Sequence, residues 1–97
     1  MKQLIWSPRA AADLEAIREH IAYDSELYAG LMVSRLVAAP GRLIQFPELG
    51  RIVPEYDQAD LRELIVRPYR LVYRLRGEFV EIATVFHAAR MFPDLRQ

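Results

Sequence analysis

The chain contains no cysteine, so neither a disulfide framework nor a thiolate metal site can be built, and the composition fits a reducing compartment. Histidine is almost as scarce. His20 and His87 lie far apart in the sequence with no thiol to join them, so no metal set is expected. The three serines, Ser7, Ser25 and Ser34, fall in helical segments or at their ends, and none is placed for a nucleophilic triad. No glycine-rich phosphate loop of the GxGxxG or GxxxxGK kind occurs, and no cofactor is expected. Net charge is missing too, with 13 basic and 13 acidic side chains, which argues against binding nucleic acid through many uncompensated phosphate contacts. Direct sequence-specific nucleic-acid binding is likewise not expected. The apolar runs are too short to span a bilayer and no signal-like segment precedes Trp6, so a soluble, cytoplasmic protein without membrane contact is expected.

What remains is a chain of 97 residues, enough for one domain that buries roughly 60 to 70% of its unfolded surface. Its charges are segregated. Residues 13 to 26 carry five acids (Asp13, Glu15, Glu19, Asp24, Glu26) against Arg18, and residues 62 to 76 carry five arginines (Arg62, Arg67, Arg70, Arg74, Arg76) against Glu63. A solvated acidic helix and an arginine-edged sheet account for this, and so does a basic strand face prepared for an acidic partner.

The stretch from Leu61 to Arg90 organises the rest. Tyr69, Leu71, Tyr73 and Leu75 alternate with Arg70, Val72, Arg74 and Arg76, the pattern of a half-buried strand. A second alternation sets Val80, Ile82, Thr84 and Phe86 against Phe79, Glu81, Ala83 and Val85, and Gly77 lies between the runs. A two-residue loop at Arg76 and Gly77 places Arg74 opposite Phe79, Val72 opposite Glu81, Tyr73 opposite Val80 and Leu71 opposite Ile82, so the apolar sets coincide. Leu61 to Val66 supplies a third strand, broken at Arg67-Pro68; it adds Leu64 and Val66 to the core and Glu63 to the arginine face.

Upstream, the short apolar run Lys2 to Trp6 meets Ser7-Pro8, an N-cap followed by proline at the first helical position. Ala10, Leu14, Ile17 and Ile21 then form one apolar stripe. The pattern breaks at Tyr23 to Ser25, and a second stripe runs through Ala29, Met32, Val33, Leu36, Pro40 and Leu43, with Pro40 predicting a kink. Phe46-Pro47-Glu48-Leu49-Gly50 stops this helix, Arg51 to Val53 is a short extended piece, and Tyr56 to Asp60 is loop. Trp6 is expected in the core and His20 on the surface.

The element order predicts a two-layer α+β domain, β-α-α-β-β-β, with two helices on one face of a mainly antiparallel sheet. The other face is expected to be open, presenting Ile65, Val72, Phe79 and Ala83 among charged residues, as partner surfaces do. Arg70 with His87 is the pair to test for catalysis, one holding a phosphate and the other moving a proton. A structural role for His87, such as pairing to a backbone group, is the competing reading.

Taken in order, Ile5-Trp6-Ser7, Ala12-Asp13-Leu14-Glu15-Ala16-Ile17, Phe46-Pro47-Glu48-Leu49-Gly50-Arg51, Leu61-Arg62-Glu63-Leu64, Tyr69-Arg70-Leu71-Val72-Tyr73-Arg74 and His87-Ala88-Ala89-Arg90 resemble the RelE/ParE toxin superfamily, ParE above all. The resemblance spans nearly the whole chain. It implies a type II toxin that inhibits DNA gyrase, breaks no bond itself, and forms a hetero-oligomer with a ParD-like antitoxin whose C-terminal segment wraps it. Partner-binding candidates are Arg62, Arg70, Val72, Arg74, Phe79 and Arg90. The superfamily's RelE-like branch cuts mRNA on the ribosome and is the alternative, with Arg70 and His87 as catalytic candidates. Here Ala88 follows the histidine where that branch carries a tyrosine, and Lys2 is the only lysine where that branch relies on several. Both departures favour ParE. A third reading is an inactive scaffold that only binds antitoxin.

Overall fold

The computed structural model describes residues 1–95. The elements are β1 (Gln3–Trp6), α1 (Pro8–Ala22), α2 (Glu26–Ala38), a 3-10 helix (Ala39–Ile44), β2 (Arg51–Ile52), β3 (Leu61–Val66), β4 (Tyr69–Arg76) and β5 (Phe79–His87). The sheet order is β1-β5-β4-β3-β2, antiparallel except that β1 runs parallel to β5. This is the expected two-layer α+β arrangement.

Local chemistry sets the helix ends. Ser7 Oγ accepts from the Ala10 amide at 3.0 Å and donates to the Ala83 carbonyl at 2.9 Å, so one hydroxyl caps α1 and anchors it to β5. Ser25 Oγ caps α2 through the Tyr28 amide at 3.0 Å. Pro40 marks the end of α-helical geometry rather than a kink within it. The chain continues as a 3-10 helix, and Pro40 and Leu43 remain buried, which is why the apolar stripe stays in phase. The stretch Glu26–Ile44 is long and apolar enough to cross a membrane by composition alone, yet Met32, Leu36 and Leu43 belong to the core between helices and sheet.

That core holds Ala10 and Ile17 of α1, Met32 and Leu36 of α2, and Val66, Tyr69, Leu71, Tyr73, Val80, Ile82 and Val85 of the sheet, with Trp6, Leu14, Leu64 and Leu75 packed at its margin.

The β4–β5 register departs from the expected one. The two-residue turn sits at Gly77 and Glu78, because Gly77 at φ +56° takes the left-handed first position, so Arg76 pairs with Phe79, Arg74 with Glu81 and Tyr73 with Ile82. This moves the pairing by two residues and preserves the faces. A bulge then leaves Ala83 between the pairs Tyr73–Ile82 and Val72–Thr84. Beyond it the alternation reverses: Val85 enters the helix-side core, and Phe86 joins the opposite face. The Asp13 carboxylate holds the bulge, accepting from Thr84 Oγ1 at 2.6 Å and the Val85 amide at 3.0 Å.

The expected open face is largely covered. Val53, Leu61, Val72 and Phe86 form a second core cluster, with Tyr56, Phe92 and Leu95 packed over it. These aromatic and aliphatic groups come from segments with no period to announce them. Ile65 and Phe79 remain exposed on that side.

Candidate functional site

β4 directs Arg70 onto the second face, between its register partners Ile65 and Phe86. Its guanidinium is nearly consumed there. Nε donates to Glu63 Oε1 at 2.6 Å, and the two terminal nitrogens grip Glu55 at 2.8 and 2.9 Å, a bidentate pair with a loop carboxylate. The other oxygen of Glu63 accepts from Arg51 Nε. The Arg70 cation lies 5.3 Å from the Phe86 ring centre and 5.2 Å from that of Phe92, within cation–π range of both. Phe92 in turn meets Tyr56 and Phe86 edge-on.

Charge closes on itself: two arginines face two glutamates. The hydrogen bond from Arg70 holds the Glu55 carboxyl down at about 2, from 4.5, against the opposing effect of burial. Arg70 itself is raised above its ordinary value by the bond to Glu55, and Glu63 adds to the effect. A phosphate entering this site would have to displace a carboxylate.

His87 is elsewhere. It ends β5 opposite Tyr69, whose ring it meets edge-on at 5.7 Å, and its Nδ1 accepts from the Ala89 amide at 3.1 Å. Tyr69 belongs to the helix-side core and Arg70 to the opposite face, and successive strand residues alternate. The catalytic pairing of Arg70 with His87 is therefore not assembled: the side chains lie on opposite faces of the sheet. The backbone contact to Ala89 is the structural role expected for His87, and His20 is exposed on α1 as expected.

The six partner-binding candidates are dispersed. Val72 is fully buried and Arg70 is 9% exposed beneath the 92–95 segment, so neither offers surface in the free chain. Arg62 faces away from Arg70 and donates to the Ala59, Glu48 and Gly50 carbonyls at 3.0, 3.3 and 3.0 Å, tying two loops to β3. The expectation that Arg62, Arg70 and Val72 share one free surface is corrected accordingly. Arg74 and Phe79 remain at the accessible end of the second face, and Arg90 follows β5 and borders a separate cleft against α1.

Several sequence motifs meet around these strands. Tyr73 Oη donates to the Pro47 carbonyl at 2.8 Å and accepts from the Gly50 amide at 2.9 Å, and burial pushes the phenol up from its ordinary value. A Cβ on Gly50 would lie 2.5 Å from the Glu63 carbonyl oxygen and 2.8 Å from Tyr73, so the loop can pack here only as glycine. Glu55 and Phe92 were missed by sequence reasoning. The signals were faint: a carboxylate after Val53-Pro54, and the apolar pair Met91-Phe92 before Pro93. Among the described residues no three His, Cys, Asp or Glu side chains are grouped to hold a metal ion.

Residues 4–92 match the family model of the ParE toxin of the type II toxin–antitoxin system parDE. Toxin RelE2 of Caulobacter vibrioides is 42% identical over 92 residues, covering 94% of this chain and 100% of the relative. The putative toxin Y4kP of Sinorhizobium fredii is 33% identical over 96 residues, covering 97% and 96%. Among solved structures, the chromosomal ParDE system from P. aeruginosa superposes with a TM-score of 0.76 at 27% identity, over 90% of this chain and 96% of that one. The RelBE2 toxin–antitoxin complex from Mycobacterium tuberculosis shares the fold, with a TM-score of 0.59 at 21% identity over 92% and 93%. With the two-helix layer, the five-stranded sheet and the interlocked motifs in place, the chain belongs to the ParE toxin family of type II toxin–antitoxin systems.

Proposed function

We propose that this toxin acts by binding DNA gyrase rather than by cutting mRNA, and that a ParD-like antitoxin neutralises it in a hetero-oligomeric complex in the cytoplasm. The observation that carries the choice is the separation of Arg70 from His87. Phosphoryl transfer needs a cation at the scissile phosphate and a proton donor or acceptor within hydrogen-bond reach of the same atoms. Arg70 is occupied by two carboxylates and two phenyl rings, and His87 lies across the sheet. The neutral net charge and the single lysine also suit a protein target better than an RNA one.

The ribonuclease reading draws support from the name of the Caulobacter relative, RelE2. The antitoxin is supported by the two solved relatives, described as a ParDE system and a RelBE2 toxin–antitoxin complex. Purified protein added to gyrase supercoiling assays and, in parallel, to translating ribosomes separates the readings. Inhibited supercoiling with intact mRNA is the expected outcome, and ribosome-dependent cuts with unimpaired supercoiling would reverse the assignment. Growth arrest on induction without antitoxin distinguishes either toxin from an inactive scaffold.

A further inference from the structure

A cleft of about 350 Å³ opens between α1 and the end of β5, on the side of the sheet away from the Arg70 cluster. Its size is that of a pocket for a small ligand or a few side chains. Ile17 and Val85 provide an apolar floor, the exposed Ala16 lines the wall on α1, and Met91, 90% exposed, stands at the lip as a large adaptable side chain. Arg9, His20, His87 and Arg90 surround that floor. Among the described residues that line the cleft, Asp13 is the one acid, and its carboxylate already accepts from Thr84 and Val85. In a chain of zero net charge, two arginines and two imidazoles thus converge on one hollow with an apolar floor. Arg9 does donate to the Asp94 carbonyl, but at 3.5 Å, leaving most of its donors to other partners.

We propose that this cleft is a docking site for the antitoxin, receiving a segment with an apolar side chain flanked by carboxylates. This rests on the antitoxin reading above and says where on this chain the segment binds. The apolar side chain seats on Ile17 and Val85, and the flanking carboxylates pair with Arg9 and Arg90, which can each accept one in bidentate fashion. The middle of the sheet's second face, by contrast, is already covered by Tyr56, Phe92 and Leu95 of the same chain, which leaves Ile65 and the end near Phe79 exposed there.

The test uses the full chain and a full-length ParD-like antitoxin, with affinity read by calorimetry at low and high salt and folding checked by thermal melting. Reversing two rim charges together, Arg9→Glu with Arg90→Glu, is expected to weaken the complex by at least about tenfold and to flatten its salt dependence, since it replaces two attractions by repulsions. Ala16→Trp fills the hollow from the exposed side of α1 and is expected to weaken binding similarly; it decides the matter if the double variant does not fold. Arg42→Glu, remote from the cleft, should bind within about twofold of the parent, by the near-neutrality of surface changes away from an interface. Parent-like affinity in the double variant would overturn the proposal. Loss of single-stranded RNA binding in that variant, with antitoxin affinity unchanged, would overturn it in favour of an RNA site. A parent chain that does not bind the antitoxin at all would remove the antitoxin reading itself, a distinct failure visible before any variant is made.

Discussion

Arg70→Ala separates a structural arginine from a functional one. The substitution leaves the Glu63 side chain, 0% exposed, with Arg51 as its remaining charged partner, and it frees Glu55 and the loop that carries it. Removing one partner of a buried pair costs about 3–5 kcal/mol, and because Arg51 persists the lower end, about 3 kcal/mol, applies here. The lost contacts with Phe86 and Phe92 add about 1 kcal/mol. For a domain of this size 1 kcal/mol moves the melting temperature by about 4–8 °C, so the total of about 4 kcal/mol predicts a fall of at least about 16 °C. Urea unfolding followed by far-UV circular dichroism gives the free energy directly, and Glu55→Gln serves as comparison. The Glu55 side chain is 42% exposed, so that change should cost only about 1 kcal/mol or less. A melting temperature for Arg70→Ala within about 3 °C of the parent, combined with lost toxicity, would refute the reasoning, because a shift that small amounts to less than 1 kcal/mol and leaves function as the role of the arginine.

The depressed Glu55 carboxyl makes a pH prediction: its folded value of about 2 lies below 4.5, so its stabilisation is present above pH 4.5 and is lost as pH falls toward 2. Acid titration of unfolding free energy should therefore show a steeper loss in that window for the parent than for Glu55→Gln. Gly50→Ala should destabilise by about 1–3 kcal/mol through overpacking against the Glu63 carbonyl and Tyr73, measurable as a lower urea midpoint. Ser7→Ala removes the α1 cap and the tie to Ala83 and should cost about 1–2 kcal/mol in the same assay.

How far the sequence could be read follows from the range of the interactions. The helix start at Ser7-Pro8, the break at Tyr23 to Ser25, and the strands Leu61–Val66 and Tyr69–Arg76 are written in residues that touch their own neighbours, and they emerged as expected. The bulge at Ala83 is not local in that sense. It depends on Asp13 from α1 taking the Val85 amide, and simple alternation along β5 placed Phe86 on the wrong face. The same holds for Arg70: its spacing announced a face, but the groups that occupy it, Glu55 and Phe92, come from segments before β3 and after β5. Arg62 belongs to the opposite face by the alternation of β3, and grouping it with Arg70 by charge alone overlooked that period.

The central claim, that this toxin holds its target and breaks no bond, is tested most directly with His87→Gln. Supercoiling by gyrase and mRNA integrity on translating ribosomes should be measured for the parent and the variant side by side. If binding alone is at work, supercoiling inhibition by the variant stays within a few-fold of the parent and neither protein cuts mRNA. Ribosome-dependent cuts that appear with the parent and fall by about 10²- to 10⁴-fold in the variant, the usual effect of removing a general acid or base, would contradict it.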